Sequence, residues 1–278
     1  MAIVKLTPAR DLAVHGASPI ACDPSGRTAY VVDRAGFRVL PVGVDGKAGS
    51  PLGYASRGPG GQANLVSSAA VAGGALYLAA PDTQLITRLS LSSGEPSWIG
   101  ISPGGIPFLQ MPSIVAVAEG GLAVWDPGLR MDVTVSLEGK ILAAEKRVGL
   151  TPWPTPGGGH MLIADNPDGS WRLKGTRGSY DALVLAHAGG ARAASCRLIG
   201  SAPGGGWVVH HYLGESGPPS GACLRWFDAT GKVKAEAVFA LEQAQDLPPP
   251  PGSATASDGR VWFLSSTGPD ASVMVVGP

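Results

Sequence analysis

Ala29-Tyr-Val-Val-Asp33 is the stretch from which the fold can be read. A Gly-containing turn precedes it, the run itself is mostly apolar, and an acid closes it. The same unit returns as Leu76-Tyr-Leu-Ala-Ala80, Leu122-Ala-Val-Trp-Asp126, Met161-Leu-Ile-Ala-Asp165, Trp207-Val-Val-His-His211 and Val261-Trp-Phe-Leu-Ser265. The closing residues lie 47, 46, 39, 46 and 54 positions apart. A period in the forties, built from Gly turns and short β-type runs, is the signature of a β-propeller. Six such units use up the chain, so the expected fold is all-β: a six-bladed β-propeller with four-stranded antiparallel blades, one domain over residues 1–278.

The last unit supplies only three strands, at residues 253–257, 260–265 and 271–276. Its outer edge would be unpaired, and residues 2–6 form an N-terminal strand with no blade of their own. The N-terminal strand is therefore expected to close the last blade. A helical reading fits poorly, because apolar residues alternate or run in fours to sixes and Gly and Pro interrupt them; only residues 239–245 suit a helical turn.

Composition agrees with a turn-rich β protein: 41 Gly and 25 Pro accompany 15% charged residues. Lys plus Arg equals Asp plus Glu at 21 each, which leaves no broad basic field for a phosphate backbone. Nucleic acid is thus not an expected partner. Nor is a membrane, since no apolar run reaches the ~18 residues a span needs. Residues 1–8 lack the basic-then-apolar run of a signal peptide, so the expected location is the cytoplasm, or outside it with a signal already removed. Cys22, Cys196 and Cys223 have no CxxC neighbours and read as buried thiols, with a Cys196–Cys223 bridge as the other reading.

Tyr30-Val-Val-Asp33 followed by Arg38-Val-Leu resembles the repeat of NHL-type propellers. The blade count is similar to the wider group of SMP-30-like enzymes, gluconolactonases and strictosidine-synthase-like proteins. In metal-dependent members of that group, Glu, Asn and Asp project into the central channel from the starts of inner strands. The corresponding stretches here begin with Ser18, Ser67 or Ser68, Ser113, Thr151, Ser195 and Ser253. The resemblance therefore implies the fold without the divalent-cation quartet. No cofactor is expected, and residue spacing gives a divalent metal no support.

The closing column of Asp33, Ala80, Asp126, Asp165, His211 and Ser265 would sit where the second strand of each blade meets its loop. For Asp33 and Asp126 the plainer reading is a turn cap accepting backbone N–H bonds. Asp165 and His211 differ, because long loops are read after them, residues 166–180 and 212–221. A second alignment instead makes residues 170–176 a strand. His210 and His211 must point to opposite faces; register with the Asp column directs His211 to the channel and His210 between blades.

Two functions fit this pattern. One is a small-molecule binding or catalytic site at the loop-face mouth of the channel, with His211, Asp165 and Asp126 as acid/base groups of hydrolase- or lyase-like chemistry. Trp171, Arg172, Arg177, Tyr212, Phe108 and Trp153 would bind the ligand, the arginines holding an anionic group. The alternative is a non-catalytic scaffold whose Pro/Gly-rich loops, with Ile106, Phe108, Leu109 and Met111, contact a protein partner.

Overall fold

The computed structural model describes residues 2–5, 18–54, 63–101, 108–118, 120–146, 153–154, 160–165, 171–175, 183–185, 187–188, 190–214, 219–244, 247–248, 251–265 and 271–278. The first blade shows how the sequence makes its turns. Strand Ile20–Cys22 is joined to Thr28–Asp33 by Asp23-Pro-Ser-Gly26. Pro24 presets the turn, Gly26 takes the left-handed φ of 67° that other residues avoid, and its N–H donates to the Asp23 carbonyl at 2.9 Å. The Asp23 carboxylate accepts from Thr28 N at 3.0 Å and from the Ser25 hydroxyl at 2.6 Å. Strands Arg38–Gly43 and Leu52–Gly53 complete the sheet in order.

The same meander gives a second blade (Ser68–Ala72, Ala75–Ala80, Leu85–Ser90, Pro96–Ile99) and a third (Ile114–Ala118, Gly121–Asp126, Met131–Val135, Ile141–Lys146). A fourth consists of Trp153–Pro154, His160–Asp165, Trp171–Gly175 and Leu183–Val184. The closing blade pairs Ser253–Thr255, Val261–Ser265 and Ser272–Val276 with the N-terminal strand Ala2–Lys5.

The expectation of six four-stranded blades is corrected here: the structure has five. The remaining strands form a five-stranded sheet of His187–Ala188, Ala191–Ala202, Gly206–Leu213, Gly221–Phe227 and Val233–Ala240. The physical cause is the 12-residue strand Ala191–Ala202, which outruns its equivalents. The chain turns through Gly190, at φ 76°, so that His187 and Ala188 pair with Arg192 and Ala191.

Each blade packs on its neighbours through both faces, which is why the strands read as unbroken apolar runs rather than alternating ones. Alternate residues of Thr28–Asp33 serve different interfaces. Ala29 and Val31 pack with Trp262, Leu264 and Val273 of the closing blade. Val32 packs with Val71, Leu76 and Leu78 of the second. The axis is laced by side chains and one main-chain bond. Ser67 Oγ donates to Ser113 O at 2.7 Å, Ser68 Oγ accepts from Val115 N at 3.2 Å, and Cys22 Sγ donates to Thr255 O at 2.7 Å. Ile20 N donates to Pro251 O at 3.0 Å. Small donors at the starts of inner strands thus satisfy backbone edges that face no further strand.

The N-terminal strand does close the last blade: Ala2, Ile3, Val4 and Lys5 oppose Val275, Met274, Val273 and Ser272. Deleting residues 1–5 should therefore cost about 2 kcal/mol in lost ladder bonds. The exposed edge should also promote association, seen as a lower Tm and a growing high-mass fraction in size-exclusion chromatography. An unchanged Tm would contradict this pairing.

No helix among the described residues is long and apolar enough to cross a membrane.

Candidate functional site: the central channel

The sequence offers Asp33 as a turn cap and Asp126 as either a turn cap or an acid/base group. Asp126 ends strand Gly121–Asp126 and is 0% exposed. Its Oδ2 accepts from Gln110 N at 2.7 Å, and its Oδ1 accepts from Met111 N at 3.0 Å and Leu129 N at 3.1 Å. It therefore ties the segment entering its blade to the turn leaving its own strand. Asp82 grips the equivalent segment of the second blade, accepting from Asn64 N at 2.9 Å and Leu65 N at 3.3 Å. Asp33 accepts from Gly36 N at 2.9 Å and pairs with the Arg38 guanidinium at 2.8 Å. These are turn and loop tethers. For Asp126 the three backbone donors fit the turn-cap reading.

His211 is the second correction. It does not face the channel mouth; both His210 and His211 are 0% exposed, each enclosed between blades. The reason is position: they lie on the central strand of the five-stranded sheet, so neighbouring blades cover both faces and the alternation merely chooses between two interfaces. His211 Nδ1 lies 3.1 Å from Cys196 Sγ, while its Nε2 has no hydrogen-bond partner among the described residues. Burial, with the charges of Arg225 and His210 adding, pushes the imidazole down to about 3; burial pushes the Cys196 thiol up to about 12. A neutral thiol thus faces a neutral imidazole, far from the tuning a general base needs at neutral pH. On the opposite face the His210 ring meets Tyr212 edge-on, centroids 4.7 Å apart. Burial holds it down to about 4; the Leu247 backbone opposes this from beside the ring, although neither ring nitrogen reaches hydrogen-bond geometry.

The ligand-binding candidates are dispersed. Trp171 and Arg172 belong to strand Trp171–Gly175, with Trp171 directly opposite Asp165, so no long lid follows that acid and the second alignment is the correct one. Trp171 packs on the core between its blade and the five-stranded sheet; Arg172 is exposed. Tyr212 is half-buried on strand Gly206–Leu213, and Phe108 packs against the core between the second and third blades. The backbones of Trp153 and Asp165 lie in strands, but their side chains lie outside what is described, as does the whole of Arg177. The three cysteines are free thiols, so there is no Cys196–Cys223 bridge. Among the described residues, no group of three or more His, Cys, Asp or Glu could hold a metal ion.

What the fold does create is a central cavity of about 600 Å³. Inner strands of the first, second, third, five-stranded and closing sheets line it. Its wall is apolar at Ile20, Ala69, Ile114, Val117, Leu198 and Ala254, with hydroxyls at Ser201, Ser253 and Thr255. Among the described residues one charged side chain lines it, Arg197, from the inner strand Ala191–Ala202. Arg197 is exposed, and its Nη1 donates to Cys196 O at 2.9 Å. It stands directly across the ladder from His210. Sequence reading passed over Arg197, although the signal was there: an Arg in an inner strand where other blades place small or apolar residues.

No protein-family model matches the chain, and no curated protein matches it in sequence. Solved structures do match. A putative gluconolactonase is 15% identical with a TM-score of 0.52, over 99% of this chain and 98% of that one. Virginiamycin B lyase from Staphylococcus aureus, in a catalytically inactive form with quinupristin, is 12% identical with a TM-score of 0.52 over 99% of both chains. The WD40 β-propeller domain of Doa1 is 11% identical with a TM-score of 0.51, over 100% of this chain and 97% of that one. The chain is a β-propeller. The first two neighbours are propellers of the SMP-30/NHL-like kind that the repeat resembles. Likeness at this identity shows the fold alone, and propellers host both enzymes and scaffolds.

Proposed function

We propose that this propeller binds a small molecule in its central channel. The observation that carries the reading is the cavity itself. At about 600 Å³ it falls within the range of ligand pockets, and it combines apolar walls with a few polar groups, which is how such sites are usually built. Ligand binding is separable here from the acid/base chemistry first attached to His211 and Asp126, whose surroundings give that chemistry no support.

The scaffold reading rests on a narrower observation. Leu65 is 59% exposed and Met111 47% exposed, at equivalent positions just before the inner strands of the second and third blades. Leu109, which the same reading would use, is only 1% exposed. Among the described residues Leu65 and Met111 make a small patch against a cavity lined by five sheets.

The test is a plug. Ile114, half-buried on the channel wall, is replaced by Trp, and wild type and variant are screened by thermal shift against the same set of small acids, bases and neutral metabolites. A ligand at about 100 times its Kd should stabilise the wild type by about 2.7 kcal/mol. Ile114→Trp should abolish that shift while Leu65→Ser and Met111→Ser leave it. Compounds that stabilise wild type and Ile114→Trp equally would refute the channel as the site.

A further inference from the structure

We infer that the channel ligand is a carboxylic acid with an apolar body, its carboxylate held by the Arg197 guanidinium; this rests on the channel being the binding site. Arg197 is the one charged residue on the described channel wall, and the structure gives it no carboxylate partner among the described residues. A guanidinium carries five N–H donors and stays charged at all accessible pH. One donor is used, by the carbonyl of Cys196, the residue just before it. That single bond braces the side chain from its own strand and leaves the rest of the fork for an acceptor in the cavity.

The surroundings decide what kind of anion suits it. Bidentate pairing with a guanidinium fits a carboxylate or a phosphate equally well in shape. A phosphate monoester, however, brings nearly two charges, and no second Lys or Arg lines the described wall to balance them. One positive charge matches one carboxylate. Beyond Arg197 the wall is mainly apolar, with Ile20, Ile114, Val117 and Leu198 among scattered hydroxyls at Ser67, Ser68, Ser201 and Thr255, which favours a mostly hydrocarbon body over a polyhydroxy one. Ser253, on the neighbouring inner strand and 6% exposed, adds a hydroxyl that has no partner among the described residues. By the repeat alignment it lies one residue deeper than Arg197, since it opposes Phe263 whereas Arg197 opposes His210.

Isothermal titration with octanoate, octanamide and octyl phosphate tests this on the full chain. Octanoate should bind one to one, about 10- to 100-fold more tightly than octanamide, the range expected for charge-assisted hydrogen bonds. Arg197→Gln should bring octanoate down to the octanamide level and leave octanamide unchanged; Arg197→Lys should fall between. Because Arg197 is exposed, both variants should keep the wild-type Tm, and if Arg197→Gln fails to fold, Arg197→Lys carries the comparison. Equal binding of octanoate and octanamide, indifferent to Arg197→Gln yet lost in Ile114→Trp, would overturn the carboxylate assignment while the channel reading stands. Tighter binding of octyl phosphate than of octanoate would overturn it as well. No binding by any of the three would overturn both readings.

Discussion

Acidification from pH 6.5 to pH 4 should strip this protein of much of its stability, and two histidines are the cause. Burial holds His210 down to about 4 and His211 down to about 3, against an ordinary value of 6.5. Between those values and 6.5 the unfolded chain takes up protons that the folded one refuses. Stability is therefore fully present above about pH 6.5 and drains away as the pH falls towards the folded values. At about 1.4 kcal/mol for each pH unit, the loss by pH 4 is about 3 kcal/mol through each histidine. Net stabilities of domains are typically about 5–15 kcal/mol, so the acid limb should approach unfolding. Urea unfolding at pH 7, 5.5 and 4.5 measures the slope. His210→Phe retains a ring against Tyr212 and should flatten it. A wild-type stability constant over that window would show that the two rings reach water. His211→Ala should destabilise at pH 7, because it opens a cavity beside Cys196 in the interface core, and should lose less than wild type on acidification.

Asp126→Ala should cost about 4 kcal/mol, since three backbone donors, at Gln110, Met111 and Leu129, lose a buried charged acceptor together. Asp126→Asn should fall between wild type and Ala, keeping one acceptor oxygen and losing the charge. Hydrogen exchange at those three amides should quicken in Asp126→Ala more than exchange elsewhere in the third blade. An alanine variant with the wild-type Tm would mean that the carboxylate is kept for chemistry rather than for holding the loop.

Much of the architecture is local in origin, and local causes can be read along a chain. The run Ala29-Tyr-Val-Val-Asp33 is a strand buried on both faces, Asp23-Pro-Ser-Gly26 is a turn that needs a left-handed glycine, and the recurrence of the pair is the blade repeat. A last blade short of one strand, with an unclaimed strand at the other terminus, likewise determined the closure by Ala2–Lys5. The fifth strand of one sheet was not legible in this way. It depends on how far Ala191–Ala202 outruns its partner, and length of pairing is decided by the partner.

The site divides along the same line. Period-two alternation showed that His210 and His211 face opposite ways, and that much is intrinsic to a strand. It could not show that both directions end in a neighbouring blade, because what covers a face is a property of the closed ring. The same ring decided that Asp126 is spent on three backbone donors, contributed from residues 3 and 15–16 positions away. And it decided that Arg197, an ordinary arginine in the sequence, stands on the wall of a space where strands from five sheets converge, since only the tertiary structure puts the inner strands around a common axis.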